Sequence, residues 1–263
     1  MKLSVVVPAL ETGKLSDFEE DVIKVSELGY DAIELDIRDP EQIDRKTLAE
    51  IISVQGLAVS SILTGRVFSV DRLSLSHPDK KVRKLAIRRI QNHISFAAAF
   101  SAIVLIGWVR GNWKRNKERA RKSFVNALRE CGKFAENEGV LLGIEPINRY
   151  EIDSIQTIDE AVGILKETGF PNIGIVADTF HMNIEEDEPI YKSIRKCKDH
   201  LFHVHVADNN RKVPGAGHLM FRRFFKALRE IGYDRFVSVE IVSYLPKFET
   251  VAEKSIRYLR KIM

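Results

Sequence analysis

The stretch VLLGIEPINRYEIDSIQTIDEAVGILKETGFPNIGIVAD, residues 140–178, reads as one complete strand, helix and strand. Its two ends, 140–145 and 173–178, are short aliphatic runs, and the segment between them spaces its apolar residues at three and four, as an amphipathic helix does. Gly169 stands just past that helix, where a C-cap requires a residue that accepts left-handed backbone. Side chains alternate across a strand, so Glu145 shares a face with Gly143 and Leu141 while Val140, Leu142 and Ile144 share the other. With Asp178 on the first face, Ile173, Ile175 and Ala177 fall on the second. That second face is wholly apolar, as a sheet covered by helices requires.

The same unit recurs from end to end. Strands are expected at 2–8, 31–37, 57–63, 102–108, 140–145, 173–178, 201–206 and 236–241, with amphipathic segments between them. After His77 the stripe is Val82, Leu85, Ala86, Ile90, Ile94 and Ala97, with Pro78 in the first turn. Eight units in 263 residues average about 33 each, the length a parallel βαβ unit needs. No linker or change of composition interrupts the series. The expected fold is α/β, a single (β/α)8 TIM barrel over residues 1–263, since closure removes the edges of an eight-stranded parallel sheet. A doubly wound open sheet is disfavoured because no G-x-G-x-x-G follows the first strand and no Walker lysine occurs.

Composition narrows the class further. Hydrophobic residues are 44% and charged residues 30% of the chain, enough for a large core and incompatible with disordered or collagen-like chains. The balance of 41 Lys and Arg against 37 Asp and Glu leaves only +4, which argues for no nucleic-acid partner. No apolar run approaches a membrane span, and the run within MKLSVVVPAL is too short for a secretory core. Cys131 and Cys197 lie in separate helical segments outside any CxxC pair, so a reducing, cytoplasmic setting is expected.

The strands of the second half end on Glu145, Asp178, His205 and Glu240, separated by 33, 27 and 35 residues. A barrel gathers consecutive strand ends around one mouth, so the four side chains are expected to converge there. Three carboxylates and an imidazole in a partly buried mouth repel one another and resist ionisation unless a cation compensates them. The oxygen-rich set favours Mn²⁺ or Mg²⁺, with Co²⁺ and Zn²⁺ also compatible. The competing reading, four unrelated polar strand ends bound to nearby loops, needs the coincidence to recur on four successive strands. His203 shares the inward parity of His205 one layer deeper, which makes it a core histidine or a ligand's partner. His93 and His200 read as structural and His77 as a loop residue. His218, after the loop at 214–217, is a weak phosphate-cradle signal because no Lys-Ser/Thr follows.

The segments EPINRYE (145–151), DTFHMNIEE (178–186), HVHVADNNRKVPGAGH (203–218) and VEI (239–241) resemble the xylose isomerase-like TIM-barrel superfamily, within it the D-tagatose and D-psicose 3-epimerases. The resemblance implies one Mn²⁺-type metal held by Glu145, Asp178, His205 and Glu240, with Glu145 and Glu240 also the acid/base pair. It further implies substrate contacts from Glu151, His181 and Arg211. The N-terminal half departs from these enzymes, because SVVVPALE lacks the aromatic residues they place after the first strand. Endonuclease IV-type relatives need several more His ligands for three metals; one metal fits this sequence better.

The reaction these features imply is epimerisation beside a ketone through an enediolate, one Glu taking the proton from one face and the other returning it to the opposite face. An aldose–ketose isomerase would manage with one base. Arg66, Arg110, Lys114, Arg149, Arg211, Lys212 and Lys247 all follow strands, so an anionic small-molecule substrate is expected. Trp108 and Trp113 are read either as sugar-stacking walls or as helix packing. SILTGR and LIGWVRGN are similar to epimerases of keto-uronate or inositol catabolism, which implies 5-keto-L-gluconate as substrate and D-tagaturonate as product. Neutral ketoses are the alternative, and a homo-oligomer is compatible with the family.

Overall fold

A computed structural model describes residues 1–10, 15–114, 116–241 and 247–263. Its elements run β1 (Lys2–Val6), α1 (Leu15–Leu28), β2 (Ala32–Asp36), α2 (Arg45–Val54), β3 (Ala58–Leu63), α3 (Gly65–Ser69), α4 (Lys80–Ala98) and β4 (Ile103–Ile106). They continue with α5 (Lys117–Asn137), β5 (Leu142–Ile144), α6 (Ile158–Thr168), β6 (Ile173–Asp178), α7 (Thr179–Glu185), α8 (Ile190–Ser193), β7 (Leu201–Val206), α9 (Phe221–Glu230), β8 (Phe236–Val239) and α10 (Phe248–Ile262). All eight strands are parallel neighbours in chain order, and β8 closes on β1 through pairs such as Lys2 with Phe236 and Val5 with Val239. The expected TIM barrel is the fold.

Two cores hold it. The larger lies between sheet and helices and takes the outward strand residues, among them Val140, Leu142, Ile144, Ile173, Ile175 and Val237. The smaller fills the barrel interior with Ile103, Leu105 and Val176, flanked by Leu63, Leu141 and Phe202. Gly143 makes room for it: a Cβ there would meet Val176 Cγ2 at 2.5 Å. Helix starts are capped as their sequences imply, Asp44 accepting from the N–H groups of Lys46 and Thr47, and Thr157 from that of Glu160. Gly169 closes α6 in the left-handed region at φ 74°, its N–H bonded to the Leu165 carbonyl.

Several local details differ from the sequence expectation. Helix α4 is capped by Asp79, so Pro78 lies outside it. Its buried face is Ala86, Ile87, Ile90, His93, Ile94 and Ala97, whereas Leu85 is 57% exposed. Residue 93 belongs to the inward stripe, a position that the apolar pattern alone skips. Its imidazole lies 2.7 Å from the Arg89 carbonyl and 2.8 Å from that of Ile37, a structural role. Strands β5 and β8 stop early, which leaves Glu145 and Glu240 each one residue past a strand end.

Candidate metal and catalytic site

Register places the site before any side-chain contact does. Asp178 pairs with His205 across β6 and β7, so both point into the barrel at the same height. An irregularity between Ile175 and Val176, opposite Leu201 and His203, sets this register, because an extra residue in one strand re-aims the side chains beyond it. Glu145 arrives at the end of β5 and Glu240 at the end of β8. One oxygen from each of the three carboxylates and one His205 nitrogen lie within 4.8 Å of one another, forming a group that can hold a metal ion.

His205 is the centre of this group. Its Nδ1 is 3.2 Å from Glu145 Oε1 and 3.3 Å from Glu240 Oε2. Its Nε2 faces the other way, 2.9 Å from Glu34 Oε1, while Glu34 Oε2 lies 3.1 Å from His203 Nε2. Burial pushes the Glu34 carboxyl up, but His205 and His203 together outweigh that and hold it well below the usual carboxylate range. Burial disfavours the His205 imidazolium, yet Glu34 and Glu240 raise it well above an ordinary histidine. A second ligand-type group, Glu34, His203 and His205, shares His205 with the first and is closed by its own hydrogen bonds.

The donor set fits a hard divalent cation. Asp178 Oδ1 accepts from the Phe180 N–H at 2.6 Å and caps α7, but Asp178 Oδ2 is buried with no hydrogen-bond partner, and the buried Glu240 Oε2 has His205 Nδ1 near it, at 3.3 Å. Burial and then the surrounding carboxylates push the Asp178 carboxyl up, against the pull of His181. Glu240 moves the opposite way: His205 and Arg211 overcome its burial. Three carboxylates converging on one imidazole, with a buried oxygen of Asp178 lacking any donor, are the chemistry a cation neutralises.

The residues singled out beyond this cluster line one cavity of about 280 Å³ with it: Arg66, Trp108, Glu151, His181 and Arg211 all border the space above Glu145 and Glu240. Asn148 organises two of them, Glu151 and His181. Its Oδ1 accepts from the Tyr150 N–H, and its Nδ2 donates to Glu151 Oε1 and to His181 Nδ1, each at 2.8 Å. Nδ1 of His181 is therefore the acceptor, and the ring proton sits on Nε2, 3.9 Å from Asp178 Oδ2. Arg211 has left-handed backbone, φ 57°, pairs with Glu151 and stacks on Phe180 with its guanidinium carbon 4.7 Å from the ring centroid. Gly107 leaves room for the Glu145 carboxylate, since a Cβ there would sit 3.0 Å from Oε2.

The cationic mouth expected from the loops is redistributed. Arg110 is fully buried and donates to the carbonyls of Gly107, Glu145, Ser154 and Ile155, so it clamps backbone instead of facing a substrate. Burial lowers it to about 10. Arg149 is held by Glu185, Nη2 to Oε2 at 2.8 Å. Arg66 and Arg211 are the expected cations that border the site cavity. Trp113 is buried against Phe124, the packing reading, whereas Trp108 borders the cavity. Sequence reasoning misses Glu34 and Asp36 as neighbours of the site and misses the backbone-clamping role of Arg110. A Glu amid AIELD at inward parity is a legible signal for the first; nothing local marks Arg110 as buried.

The chain belongs to the xylose isomerase-like TIM-barrel family, whose model matches residues 22–262. Its relatives define it further as a sugar epimerase, an enzyme of the isomerase class. It is 32% identical to the D-psicose 3-epimerase of Enterocloster bolteae over 231 residues, 83% of this chain and 74% of that one. It is 36% identical to the 3-dehydro-D-guloside 4-epimerase of Escherichia coli K12 over 126 residues, 48% of each. The solved D-psicose 3-epimerase of Clostridium cellulolyticum H10 with D-tagatose superposes at a TM-score of 0.84, with 26% identity over 100% of this chain and 99% of that one. Among the described residues, no helix is long and apolar enough to cross a membrane.

Proposed function

We propose that this chain inverts the carbon beside the ketone of a keto sugar, with Glu145 and Glu240 as the two acid/bases. The observation that carries this reading is that both carboxylates reach the same His205 nitrogen, at 3.2 and 3.3 Å, from the separated strands β5 and β8. Inversion needs a base on each face, and two carboxylates on opposite sides of one mouth supply them. One Glu takes the proton as the C–H electron pair moves toward the carbonyl. The other delivers a proton to the opposite face. Glu145, Asp178, His205 and Glu240 would hold one divalent cation, Mn²⁺ by preference and Mg²⁺ or Co²⁺ as alternatives. When bound, it supplies positive charge to the substrate oxygens on which negative charge develops. Glu151, His181 and Arg211 orient the hydroxyl and carbonyl end, the Nε2–H of His181 being a donor on the cluster side. Trp108 forms an apolar wall.

The names of the relatives agree with this chemistry, because a ketose 3-epimerase and a 3-dehydro-glycoside 4-epimerase each act next to a ketone. For the substrate we favour a keto-sugar acid, 5-keto-L-gluconate giving D-tagaturonate, with the cations around the barrel mouth as the supporting feature: Arg66 and Arg211 border this cavity and Lys114 the hollow that adjoins it at Glu151. In deuterium oxide the wild-type protein is expected to place solvent deuterium at the inverted carbon, and Glu240→Gln to lose at least about a thousandfold in turnover while staying folded. Product formed without exchange contradicts the two-base scheme. A panel of 5-keto-gluconate, tagaturonate, fructose and tagatose tests the substrate, and turnover of the neutral sugars alone overturns the acid assignment.

A further inference from the structure

A second and larger cavity, about 430 Å³, lies beside the first on the same rim of the barrel. Its wall comes from the segment before α4, the segment leading into α5 with that helix's first turns, and residues 149–153 of the β5–α6 connection. Glu151 borders both cavities, so they meet at one side chain.

The lining of this cavity is rich in donors that nothing else uses. Lys114 and Arg119 are exposed at its edge, and their side chains have no carboxylate partner among the described residues. Trp113 Nε1 and Ser76 Oγ are buried without a hydrogen-bond partner, in residues only 3% and 4% exposed. The 21-residue helix α5 turns its positive end here, with Asn116, Arg119 and Ala120 on the wall. The two acidic residues of the lining, Glu151 and Asp153, each have partners of their own. Asp153 accepts from the backbone N–H groups of Trp113 and Lys114, and Glu151 pairs with Arg211 through Oε1, its Oε2 being buried without a donor.

An ammonium, a guanidinium, an indole N–H, a hydroxyl and a helix N-terminus around one hollow describe a receptor for an oxyanion. We propose that this cavity takes the carboxylate or phosphate at the far end of the substrate while the keto end lies against Glu145 and Glu240. The substrate class is then a keto sugar extended by an anionic unit. Pro78 and the 82%-exposed ring of Tyr150 offer apolar surface to the carbon skeleton on the way. The proposal rests on the epimerase reading above, but its anion site is measurable without it.

The test uses the metal-loaded protein and its Lys114→Met, Arg119→Met double variant, both substitutions lying on exposed side chains. Calorimetric titration with inorganic sulfate should give an affinity at least tenfold weaker in the variant. The variant's kcat/KM should fall at least tenfold for keto-sugar acids or keto-sugar phosphates and stay unchanged for neutral ketoses. Comparing the acids with the phosphates identifies which anion the cavity prefers. Equal sulfate affinity in both proteins, or equal losses on charged and neutral sugars, overturns the proposal. A protein that binds sulfate through these two residues yet turns over no keto sugar retains the anion site; that outcome refutes the epimerase reading and the substrate assignment with it.

Discussion

Glu34 sits mid-strand in β2 with one carboxylate oxygen committed to each imidazole of β7, beneath the ligand cluster. By occupying His205 Nε2 it leaves Nδ1 facing Glu145 and Glu240, which is the orientation the proposed metal site needs. Glu34→Gln should weaken Mn²⁺ binding by about 10–100-fold, measured by competition with a chelating dye; unchanged affinity would show that packing alone holds the ring. Asp36, two residues on, behaves differently. Burial drives its carboxyl up, Arg66 draws it back, and the result is about 6. A carboxyl raised from 3.8 folds most favourably when protonated, so its cost is absent near pH 3.8 and complete above about 6. In the metal-free protein Asp36→Asn should therefore stabilise by on the order of 1–2 kcal/mol at pH 7 and by little at pH 4. Equal effects at both values in urea denaturation would refute this.

At the scale of elements, Asp178 is both the last residue of β6 and the N-cap of α7, so strand end, helix start and a member of the candidate metal cluster are fixed by one side chain. Arg110 performs a similar joining between the end of β4 and the β5–α6 connection, donating to the Glu145 carbonyl at 2.7 Å and the Ile155 carbonyl at 3.0 Å. Arg110→Met leaves several buried carbonyls without donors and should cost at least about 3 kcal/mol, read by equilibrium unfolding. A loss below about 1 kcal/mol would mean that these carbonyls find water. The strand and helix order is legible because period-two runs and three-four spacing are local properties. The burial of Arg110 is not, since a loop arginine is ordinarily solvated and only the fold of residues 145–155 around it supplies its acceptors.

For the whole molecule, closure of β8 on β1 brings Glu240 to Glu145 and His205 to Glu34, 171 residues away in sequence. A ligand that binds only the closed barrel stabilises it by mass action. Mn²⁺ at 100 times its dissociation constant should add about 2.7 kcal/mol. That raises the melting temperature by roughly 5–10 °C, an increase that a chelator reverses and Asp178→Asn abolishes. An unchanged transition in calorimetry would exclude a metal at this site. The sequence by itself determined the barrel, its strand order and the four ligand-type strand ends, because alternation within each strand settles which side chains point inward and a closed sheet brings inward strand ends together. Tertiary structure alone decided how the loop charges are used. Whether Arg110 clamps carbonyls, Arg149 pairs with Glu185 or Lys114 faces a hollow depends on which groups from distant segments stand opposite, and no local pattern encodes that.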